Sequence, residues 1–409
     1  MSKVVKAAYT AEAVAGFTHR TAIEEAARCL LCHDAPCSKG CPAGTDPAKF
    51  VRSIRFRNVK GAAETIRSNN VLGGSCARVC PYDRLCEEAC SRCGIDRPIE
   101  IGKLQRYAIE QEEIFGMKTL EAGEAKPGKV ACIGAGPASL AAAAELRKAG
   151  YAVTIFEKEE KAGGMLTYGI VPSRLPQSVI DHDVAMVEAM GVKFEFGKKV
   201  TIADVDDYDA VFVGTGLWGT KLPEIPGTEL KGVYAAADYL KAARTSGKQE
   251  GKKVVVIGGG DVAVDCAVTA KLLGAEDVRI VYRRTLEEAP GNMNEFQYAL
   301  SLGIGMTTNM APAAIEGAGK VEAMTFTGRE GKLDGSELKL ACDTVVFAIG
   351  QKAEPVEGVA ANEKGGVAAT LFKMTFGNMI GFDVKLKHVF DFMPACFIVE
   401  SEEALDSEY

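Results

Sequence analysis

Residues 129–159 read KVACIGAGPASLAAAAELRKAGYAVTIFEKE, and this stretch defines the architecture that we expect for the chain. A short apolar run, a glycine-rich turn, an alanine-rich segment and a second β-rich run predict strand, turn, helix and strand. The pattern recurs at residues 252–284, which read KKVVVIGGGDVAVDCAVTAKLLGAEDVRIVYRR. Two such βαβ units predict two Rossmann-like dinucleotide-binding domains, and a pair of glycine-rich sheet turns without a ligand is the weaker alternative.

The first glycine-rich turn has the residues that a bound pyrophosphate requires. Its first two glycines let the phosphates approach backbone N–H groups at the start of a helix, and a small serine takes the third position. The second strand of this unit ends at Glu157, whose carboxylate can accept hydrogen bonds from an adenosine ribose. The residues of the turn are Gly134, Gly136, Pro137, Ala138 and Ser139.

The second glycine-rich turn differs from the first at the end of its second strand. Arg283 and Arg284 stand where an acidic residue would favour NADH, and arginines there can bind a ribose 2′-phosphate. The sequence therefore predicts an NADP(H) site and a preference for NADPH over NADH. Two unlike dinucleotide sites on one chain indicate a flavoprotein that takes hydride from a nicotinamide. The residues of this turn are Gly258, Gly260, Asp261, Val262 and Ala263.

Eight of the 13 cysteines form two clusters in the N-terminal part of the chain. The first cluster has the spacing C-x2-C-x4-C-x3-C-P, and closely spaced thiolates that end in Cys-Pro are typical of iron–sulfur proteins. Two runs indicate two [4Fe-4S] centres with interleaved ligands, and structural zinc is the alternative. The cysteines are Cys29, Cys32, Cys37 and Cys41 in the first cluster and Cys76, Cys80, Cys86 and Cys90 in the second.

The expected fold is a multidomain α+β and α/β protein, in which an all-helical iron–sulfur domain precedes the two Rossmann-like domains. Within the helical part we predict a helix that runs into the first cysteine cluster and two later helices joined near Gly61. We also expect Val345–Gly350 to form a strand that re-enters the FAD domain. The predicted segments are 1–120 for the helical domain, 127–235 with 341–409 for the FAD domain, and 236–340 for the inserted NAD(P) domain.

Composition excludes several other classes of protein. The net charge is −7, and only 7% of the residues are aromatic, so nothing indicates a nucleic-acid interface. The most apolar stretch is interrupted by proline and glycine, and the first residues contain no secretory signal. We therefore predict a cytoplasmic protein.

The chain resembles a known family that comprises the small subunit of bacterial glutamate synthase and the amino-terminal half of dihydropyrimidine dehydrogenase, which in bacteria is a separate subunit. The resemblance extends from about Arg20 to about Gln351 and is closest to that separate subunit. Its most specific segments are RCLLCHDAPC, CPAGTDPAKF, ARVCP, PIEIGKLQR, GAGPAS, RLPQSV and GGGDVAVD.

The resemblance implies which side chains hold each cofactor. One [4Fe-4S] cluster would be held by Cys29, Cys32, Cys37 and Cys90, and the other by Cys41, Cys80, Cys86 and Gln105. Cys76 would be a spectator. The implied FAD positions run from Glu157 through Gly163 and Gly164 to Met165, with Arg174 in addition. The implied nicotinamide-nucleotide positions are Gly260 to Ala263, Arg283, Arg284, Ala348, Ile349 and Gly350.

The implied function is electron transfer from NAD(P)H through FAD and two [4Fe-4S] clusters to an FMN-containing, pyrimidine-reducing partner subunit in a hetero-oligomer. Such chemistry requires orientation of cofactors, so we assign no catalytic acid or base. A glutamate synthase small subunit or a ferredoxin–NADP oxidoreductase subunit is the alternative within enzymes. Residues 365–409 lack the Gly-Asp pair of the family's second FAD motif. An FAD-deficient docking or electron-relay remnant is therefore the alternative of another class.

Overall fold

A computed structural model describes residues 9–329, 331–352, 356, 357 and 359, and the backbone of residues 397–400. The described chain divides into two compact units. The larger unit comprises residues 14–167 and 177–216 and includes the strand at residues 397–400. The smaller unit comprises residues 9–13, 168–176 and 217–352. The predicted bounds differ from these units, because residues 9–13, 168–176, 217–235 and 341–352 pack in the smaller unit.

The larger unit begins with a helical part whose core is a cluster of buried apolar residues, including Phe50, Ile54, Ile66 and Leu104. These residues recur at helical spacing, which buries one face of each helix against its neighbours. The helices are α1 (His19–Ala27), α2 (Pro36–Lys39), α3 (Pro47–Arg55), α4 (Val59–Asn69), α5 (Gly73–Val79) and α6 (Ile101–Ile114).

Two helix bounds differ from the sequence-based expectation. Helix α1 ends at Ala27, before the first cysteine, and Leu31 has φ 58°, which no α-helix contains. Helices α3 and α4 are separated at Arg57, which has φ 61°, and not near Gly61. The side chain of Asn58 caps α4 by accepting a hydrogen bond from the Gly61 nitrogen at 2.9 Å, so Gly61 lies inside that helix.

The larger unit also contains a five-stranded sheet with the order β15-β4-β1-β2-β3. Strand β15 is antiparallel to β4, and the other pairs are parallel. The alanine-rich helix α7 packs against β1, β2 and β4, and its residues Ala142, Ala143 and Ala144 are buried. The elements are β1 (Lys129–Ile133), α7 (Pro137–Lys148), β2 (Ala152–Phe156), α8 (Met165–Tyr168), α9 (Gln177–Ala189), β3 (Lys193–Glu195), β4 (Ala210–Val213) and β15 (Phe397–Glu400), of which α8 ends at the boundary of the two units.

The smaller unit contains a second five-stranded sheet, which is parallel throughout and has the order β6-β13-β7-β8-β9. An antiparallel sheet of β10, β11 and β12 and a short β5–β14 pair complete it. The elements are β5 (Gly219–Thr220), β6 (Val233–Ala235), α10 (Ala236–Ser246), β7 (Lys253–Ile257), α11 (Asp261–Leu272), β8 (Asp277–Val281), α12 (Met293–Ser301), β9 (Gly305–Thr307), β10 (Met310–Glu316), β11 (Ala323–Gly328), β12 (Glu337–Ala341), β13 (Thr344–Phe347) and β14 (Gln351–Lys352).

The position of β13 corrects one sequence-based expectation. We expected the segment from Val345 to re-enter the FAD domain, but β13 lies between β6 and β7 in the second sheet. Val345 pairs with Val255 there, and both side chains are buried. Continuous apolar strands of parallel sheets carry the same pattern whichever sheet they join, so the pattern alone did not distinguish the two positions.

Each sheet has the strand order of a doubly wound fold. Strand β1 lies between β2, which follows it through α7, and β4, which comes later in the chain. Strand β7 lies in the same way between β8 and β13. The crevice at the carboxyl end of such a strand is where open α/β sheets bind their ligands. Among the described residues, no helix is both long and apolar enough to span a membrane.

Candidate cofactor sites

A cavity in the helical part is lined by four cysteines, three from the first cluster and one from the second: Cys29, Cys32, Cys37 and Cys90. The cavity also has apolar walls, which Val51, Ile99 and Ile101 provide. The two cysteine clusters approach each other here, because the sulfur of Cys32 lies 3.4 Å from the hydroxyl oxygen of Ser91. The loop after α1 is held by Arg55, whose Nη1 donates to the carbonyl oxygen of Cys29 at 2.7 Å.

The pKa values of the thiols reflect their burial and their neighbours. Burial, together with the charges of the neighbouring Cys90 and Cys29, raises the pKa of the Cys37 thiol to about 11. Burial also raises the pKa of Cys86 above its ordinary value, with contributions from Glu87 and Cys41. Burial disfavours the charged thiolate. The positive charge of a bound metal would stabilise it in place of water.

A second group of cysteines lies near the first and contains Cys41, Cys76, Cys80 and Cys86. Hydrogen bonding to Cys76 raises the pKa of Cys80, and burial and the charges of Cys76, Cys86 and Cys41 act in the same direction. The group again combines thiols from both sequence clusters. The resemblance implies eight ligands, and seven of them are cysteines in these two groups. Four line the cavity, and three, Cys41, Cys80 and Cys86, are in the second group together with Cys76.

Gln105, the eighth side chain, lies beside the second group. It is on α6 and is only 8% exposed. Its Nε2 donates to the carbonyl oxygen of Gly73 at 2.9 Å. Hydrogen bonds from Cys80 and then from Gln105 lower the pKa of Cys76 to about 7. Cys76 is thus a neighbour of Gln105. The sequence did not predict this proximity, because Cys76 was interpreted as a spectator.

The four thiols of the first group have the donor type that an iron–sulfur cluster requires. In the described chain, no three His, Cys, Asp or Glu side chains converge on a point that could hold one metal ion. Cys29, Cys32, Cys37 and Cys90 line one cavity, as the ligands of a multi-iron cluster do. Four thiols line this cavity, and the second group adds four further thiols and the amide of Gln105 nearby.

The first glycine-rich turn, residues 134–139, is called the flavin-type turn below, and the sheet that contains it the flavin-type sheet. It lies at the carboxyl end of β1, against Gly214 at the end of β4. Gly134 has φ 92°, and a Cβ there would lie 2.7 Å from the carbonyl oxygen of Gly214. A Cβ on Gly136 would instead meet only that oxygen, at 3.8 Å. Gly136 is the N-cap residue of α7 and provides no side-chain cap, so the first N–H groups of the helix are available to an anion.

The other flavin-type positions surround this turn. Glu157 is buried, and its Oε2 accepts a hydrogen bond from the Ala135 nitrogen at 2.7 Å. Gly163 is hydrogen-bonded to the same turn, because its nitrogen donates to the carbonyl oxygen of Ala135 at 2.8 Å. The hydroxyl of Ser139 is buried and has no hydrogen-bond partner among the described residues. The open space at the turn, the uncapped helix and the buried carboxylate fit a dinucleotide. The remaining positions of this segment are Pro137, Ala138, Gly164 and Met165, of which Ala138 is buried and the others are partly exposed.

The turn of the smaller unit repeats these relationships. A Cβ on Gly258 would lie 2.5 Å from the carbonyl oxygen of Ala348, at the end of β13. A Cβ on Gly260 would meet only Pro290, at 3.9 Å, and α11 begins there without a side-chain cap. A Cβ on Gly350 would likewise have no neighbour closer than 3.8 Å, and Ile349 is 42% exposed. The crevice between β7 and β13 therefore has the open backbone that a second dinucleotide requires.

The remaining nicotinamide-type positions lie on and after α11. Asp261 accepts a hydrogen bond through Oδ1 from the Asn292 nitrogen at 2.6 Å. Val262 is partly buried and Ala263 is fully buried. Arg283 and Arg284 lie just after β8, separated from it by Tyr282, and are exposed, so both side chains are accessible to a phosphate.

Arg174, which the resemblance implies as an FAD contact, lies in the smaller unit. It is paired with two carboxylates at 3.4 Å, those of Asp265 and Glu295. Burial raises the pKa of Asp265 to about 7, and Arg174 opposes that shift. The sequence analysis did not single out Asp265. The signal for it was an acidic residue on the buried face of the mostly apolar helix α11.

Comparison with known families identifies both parts of the chain. Residues 6–116 match the family described as dihydropyrimidine dehydrogenase domain II, 4Fe-4S cluster. Residues 128–374 match the family described as pyridine nucleotide-disulphide oxidoreductase. The fold also resembles that of Mycobacterium tuberculosis FprA in complex with NADPH, with a TM-score of 0.50 and 20% identity, over 58% of this chain and 74% of that one.

Two curated relatives cover most of the chain. The NAD-dependent dihydropyrimidine dehydrogenase subunit PreT of Escherichia coli K12 is 46% identical over 84% of this chain and 83% of its own length. The glutamate synthase [NADPH] small chain of the same organism is 33% identical over 84% of this chain and 80% of its own length. The chain therefore belongs to the family of these two subunits, the NAD(P)H-dependent oxidoreductases that combine a 4Fe-4S domain with a pyridine-nucleotide oxidoreductase domain.

Proposed function

We propose that the chain is an electron-transfer subunit that oxidises NAD(P)H and delivers electrons to a partner subunit that reduces uracil or thymine. In this proposal it binds FAD, two [4Fe-4S] clusters and NAD(P)H. The main support is that one polypeptide combines two sets of thiols with two open glycine-rich turns, each at the switch point of its own sheet. The identity to the PreT subunit, which exceeds that to the glutamate synthase small chain, favours the pyrimidine-reducing partner.

When bound, FAD would supply the chemistry that links two-electron transfer from NAD(P)H to the one-electron transfer of iron–sulfur clusters. The chain's own residues hold and orient these groups. The N-terminus of α7 and Glu157 would bind the pyrophosphate and the ribose of the FAD. The N-terminus of α11 would bind the pyrophosphate of NAD(P)H.

The proposed metal ligands follow the two groups of thiols. Cys29, Cys32, Cys37 and Cys90 would hold the first cluster. Cys41, Cys80 and Cys86 would hold the second, together with the amide oxygen of Gln105. The apolar residues around the first cavity would exclude water from the cluster, and solvent exposure is one of the factors that set cluster potentials.

Arg283 and Arg284 support NADPH as the coenzyme, because both are exposed at the end of β8 and can bind a 2′-phosphate. The name of the PreT subunit states NAD dependence, whereas that of the glutamate synthase small chain states NADPH. The coenzyme preference is therefore the part of the proposal for which a direct kinetic measurement is needed.

The first test is the visible spectrum of the purified full chain, followed by anaerobic titration with NADPH and with NADH. We expect flavin bands on a broad iron–sulfur absorption, about eight iron atoms per chain and bleaching of both by NAD(P)H. Iron–sulfur absorption without flavin would overturn the proposal in favour of a relay module. A colourless protein with no iron would overturn the cluster assignment as well.

The second test concerns the partner. The reduced chain is mixed with an FMN-containing pyrimidine-reducing subunit, and consumption of uracil is measured with NAD(P)H as the only electron source. Reduction of uracil that requires both proteins supports the proposed partner. Electron transfer to the large subunit of a glutamate synthase and none to the pyrimidine-reducing subunit would assign the chain to that other branch.

A further inference from the structure

The helical part and the flavin-type sheet of the larger unit are joined by a buried ion triad. Arg67 on α4 forms ion pairs with Asp183 on α9 at 2.7 Å and with Glu112 on α6 at 2.6 Å. The side chains of Arg67 and Asp183 are 0% exposed, and that of Glu112 is 1% exposed. Buried charges persist only when they are paired and hydrogen-bonded, so this triad has a defined geometry.

Asp183 has a second set of contacts that the ion pair does not require. Its Oδ2 accepts a hydrogen bond from the Ser75 nitrogen at 2.7 Å, and its Oδ1 lies 3.3 Å from the donating Gly74 nitrogen. These are backbone groups of the first turn of α5, which have no partner within the helix. The N-cap residue of α5 is Leu72, whose side chain cannot accept a hydrogen bond. Asp183 therefore caps α5 from a helix that belongs to the flavin-type sheet.

The first turn of α5 is close to the second group of thiols. Helix α5 contains Cys76 and is followed directly by Cys80. The carbonyl oxygen of Gly73, in the same turn, accepts the hydrogen bond from Gln105. A Cβ on Gly74 would lie 3.2 Å from the Asp183 carboxylate and 3.1 Å from Val179, so a side chain there would displace the two helices from each other.

We propose that Asp183 is a positioning residue for the second cluster: by capping α5 from α9, it sets the positions of Cys80 and Gln105 relative to the iron. The inference rests on the proposed function, because it requires a [4Fe-4S] cluster at this group of thiols. It means that a helix of the flavin-type domain supports the ligands of that cluster directly.

The test uses the full chain with both clusters. Asp183→Asn retains the shape of the side chain but weakens the cap, because an amide has a single acceptor oxygen and no charge. We measure the midpoint potential and the electron-spin spectrum of each cluster, the iron content and the thermal midpoint. We expect one cluster to change its potential and spectrum, the same one that changes in Gln105→Cys, while the other cluster and the iron content remain as in the wild type.

Two control variants separate the cap from other effects. Asp181→Asn makes the same change on the exposed face of α9, and we expect no shift in either potential. Glu112→Gln removes one charge from the triad at a residue whose described hydrogen bonds go to Arg67, Thr119 and His182, none of which is on α5. If Glu112→Gln shifts the potential as much as Asp183→Asn does, the charge of the triad is responsible and the proposal is wrong.

The remaining outcomes are also decisive. If Asp183→Asn lowers the thermal midpoint but leaves both clusters unchanged, Asp183 is only a structural residue and the proposal is overturned. Where Asp183→Asn does not accumulate, Asp183→Glu keeps the charge but moves the carboxylate relative to α5, and the same change in one cluster is expected. A wild-type protein without [4Fe-4S] signals would overturn the proposed function itself, which distinguishes that failure from this one.

Discussion

The side-chain nitrogen of Gln105 donates to the carbonyl oxygen of Gly73 at 2.9 Å, so one end of this buried amide is held on the turn that precedes Cys76. Because the nitrogen is engaged, the amide oxygen is the atom that remains for a metal. An amide oxygen is a neutral ligand, and a cluster that has it in place of a thiolate is one unit less negative. Net charge is one of the properties that set cluster potentials.

We therefore predict that Gln105→Cys shifts the potential of one cluster and leaves the iron content near eight per chain. Gln105→Ala should lose or destabilise that cluster alone. Iron analysis, redox titration and electron-spin spectra of both variants test this. Wild-type iron content, potentials and spectra in both variants would exclude Gln105 as a ligand, and Cys76, its hydrogen-bonding neighbour, would become the candidate.

The flavin-type turn offers a test that separates folding from cofactor binding. A Cβ on Gly136 meets no atom closer than 3.8 Å, so Gly136→Ala should fold with nearly unchanged stability. The added methyl group occupies the space where the pyrophosphate approaches, so we expect loss of bound FAD, measured as the flavin-to-protein ratio after gel filtration.

Gly134→Ala is the matched control. It places a Cβ 2.7 Å from the Gly214 carbonyl oxygen at a φ of 92°, which should destabilise the fold itself by about 2 kcal/mol or more. Retention of a full complement of FAD by Gly136→Ala would show that the dinucleotide does not bind at this turn.

Replacement of Arg283 and Arg284 by Ala should raise the KM for NADPH far more than the KM for NADH. Each charge-assisted contact to the 2′-phosphate should contribute about 1.5–3 kcal/mol, which corresponds to a factor of at least about 10 in KM. Steady-state kinetics with both coenzymes measure the effect. Removal of Lys320 and Lys332, two exposed charges elsewhere in the smaller unit, serves as the control. Equal effects on the two coenzymes would show that the arginines do not contact the phosphate.

Asp265 should make the stability of the smaller unit depend on pH. Burial raises its pKa from the ordinary value to about 7, with Glu295 and Asp261 adding to the shift and Arg174 opposing it. Between about pH 4 and pH 7 the folded state then binds more protons at this group than the unfolded state does. The contribution of this group to the free energy of unfolding is therefore fully present at low pH. It decreases as the pH rises from about 4 to about 7, by up to about 1.4 kcal/mol per pH unit.

In Asp265→Asn this titration is absent. We expect the difference in thermal midpoint between the variant and the wild type to shift in favour of the variant as the pH rises from 5 to 7.5, measured by calorimetry without coenzyme. The exposed Asp277→Asn should show no such trend. A constant difference for Asp265→Asn across this range would contradict the raised pKa.

Much of the architecture was predictable because it depends on local patterns. The two βαβ units, the glycine pairs and the alanine-rich helices follow from periodicities that do not require a knowledge of the neighbours. Helix bounds were less predictable. Helices α1 and α3 end at Ala27 and Arg55, and the positive φ of Leu31 and Arg57 then excludes an α-helix, although the sequence pattern predicted continued helix through both positions.

The sequence by itself determined that two dinucleotide turns and two groups of thiols occur on one chain, because these features depend on residue type at fixed spacing. Only the tertiary structure decided which sheet receives β13, since every buried parallel strand has the same apolar pattern. It also placed Asp183 against α5, more than a hundred residues away in the chain, and Cys76 beside Gln105. Such contacts arise from packing between distant segments, and neither residue type nor spacing specifies them.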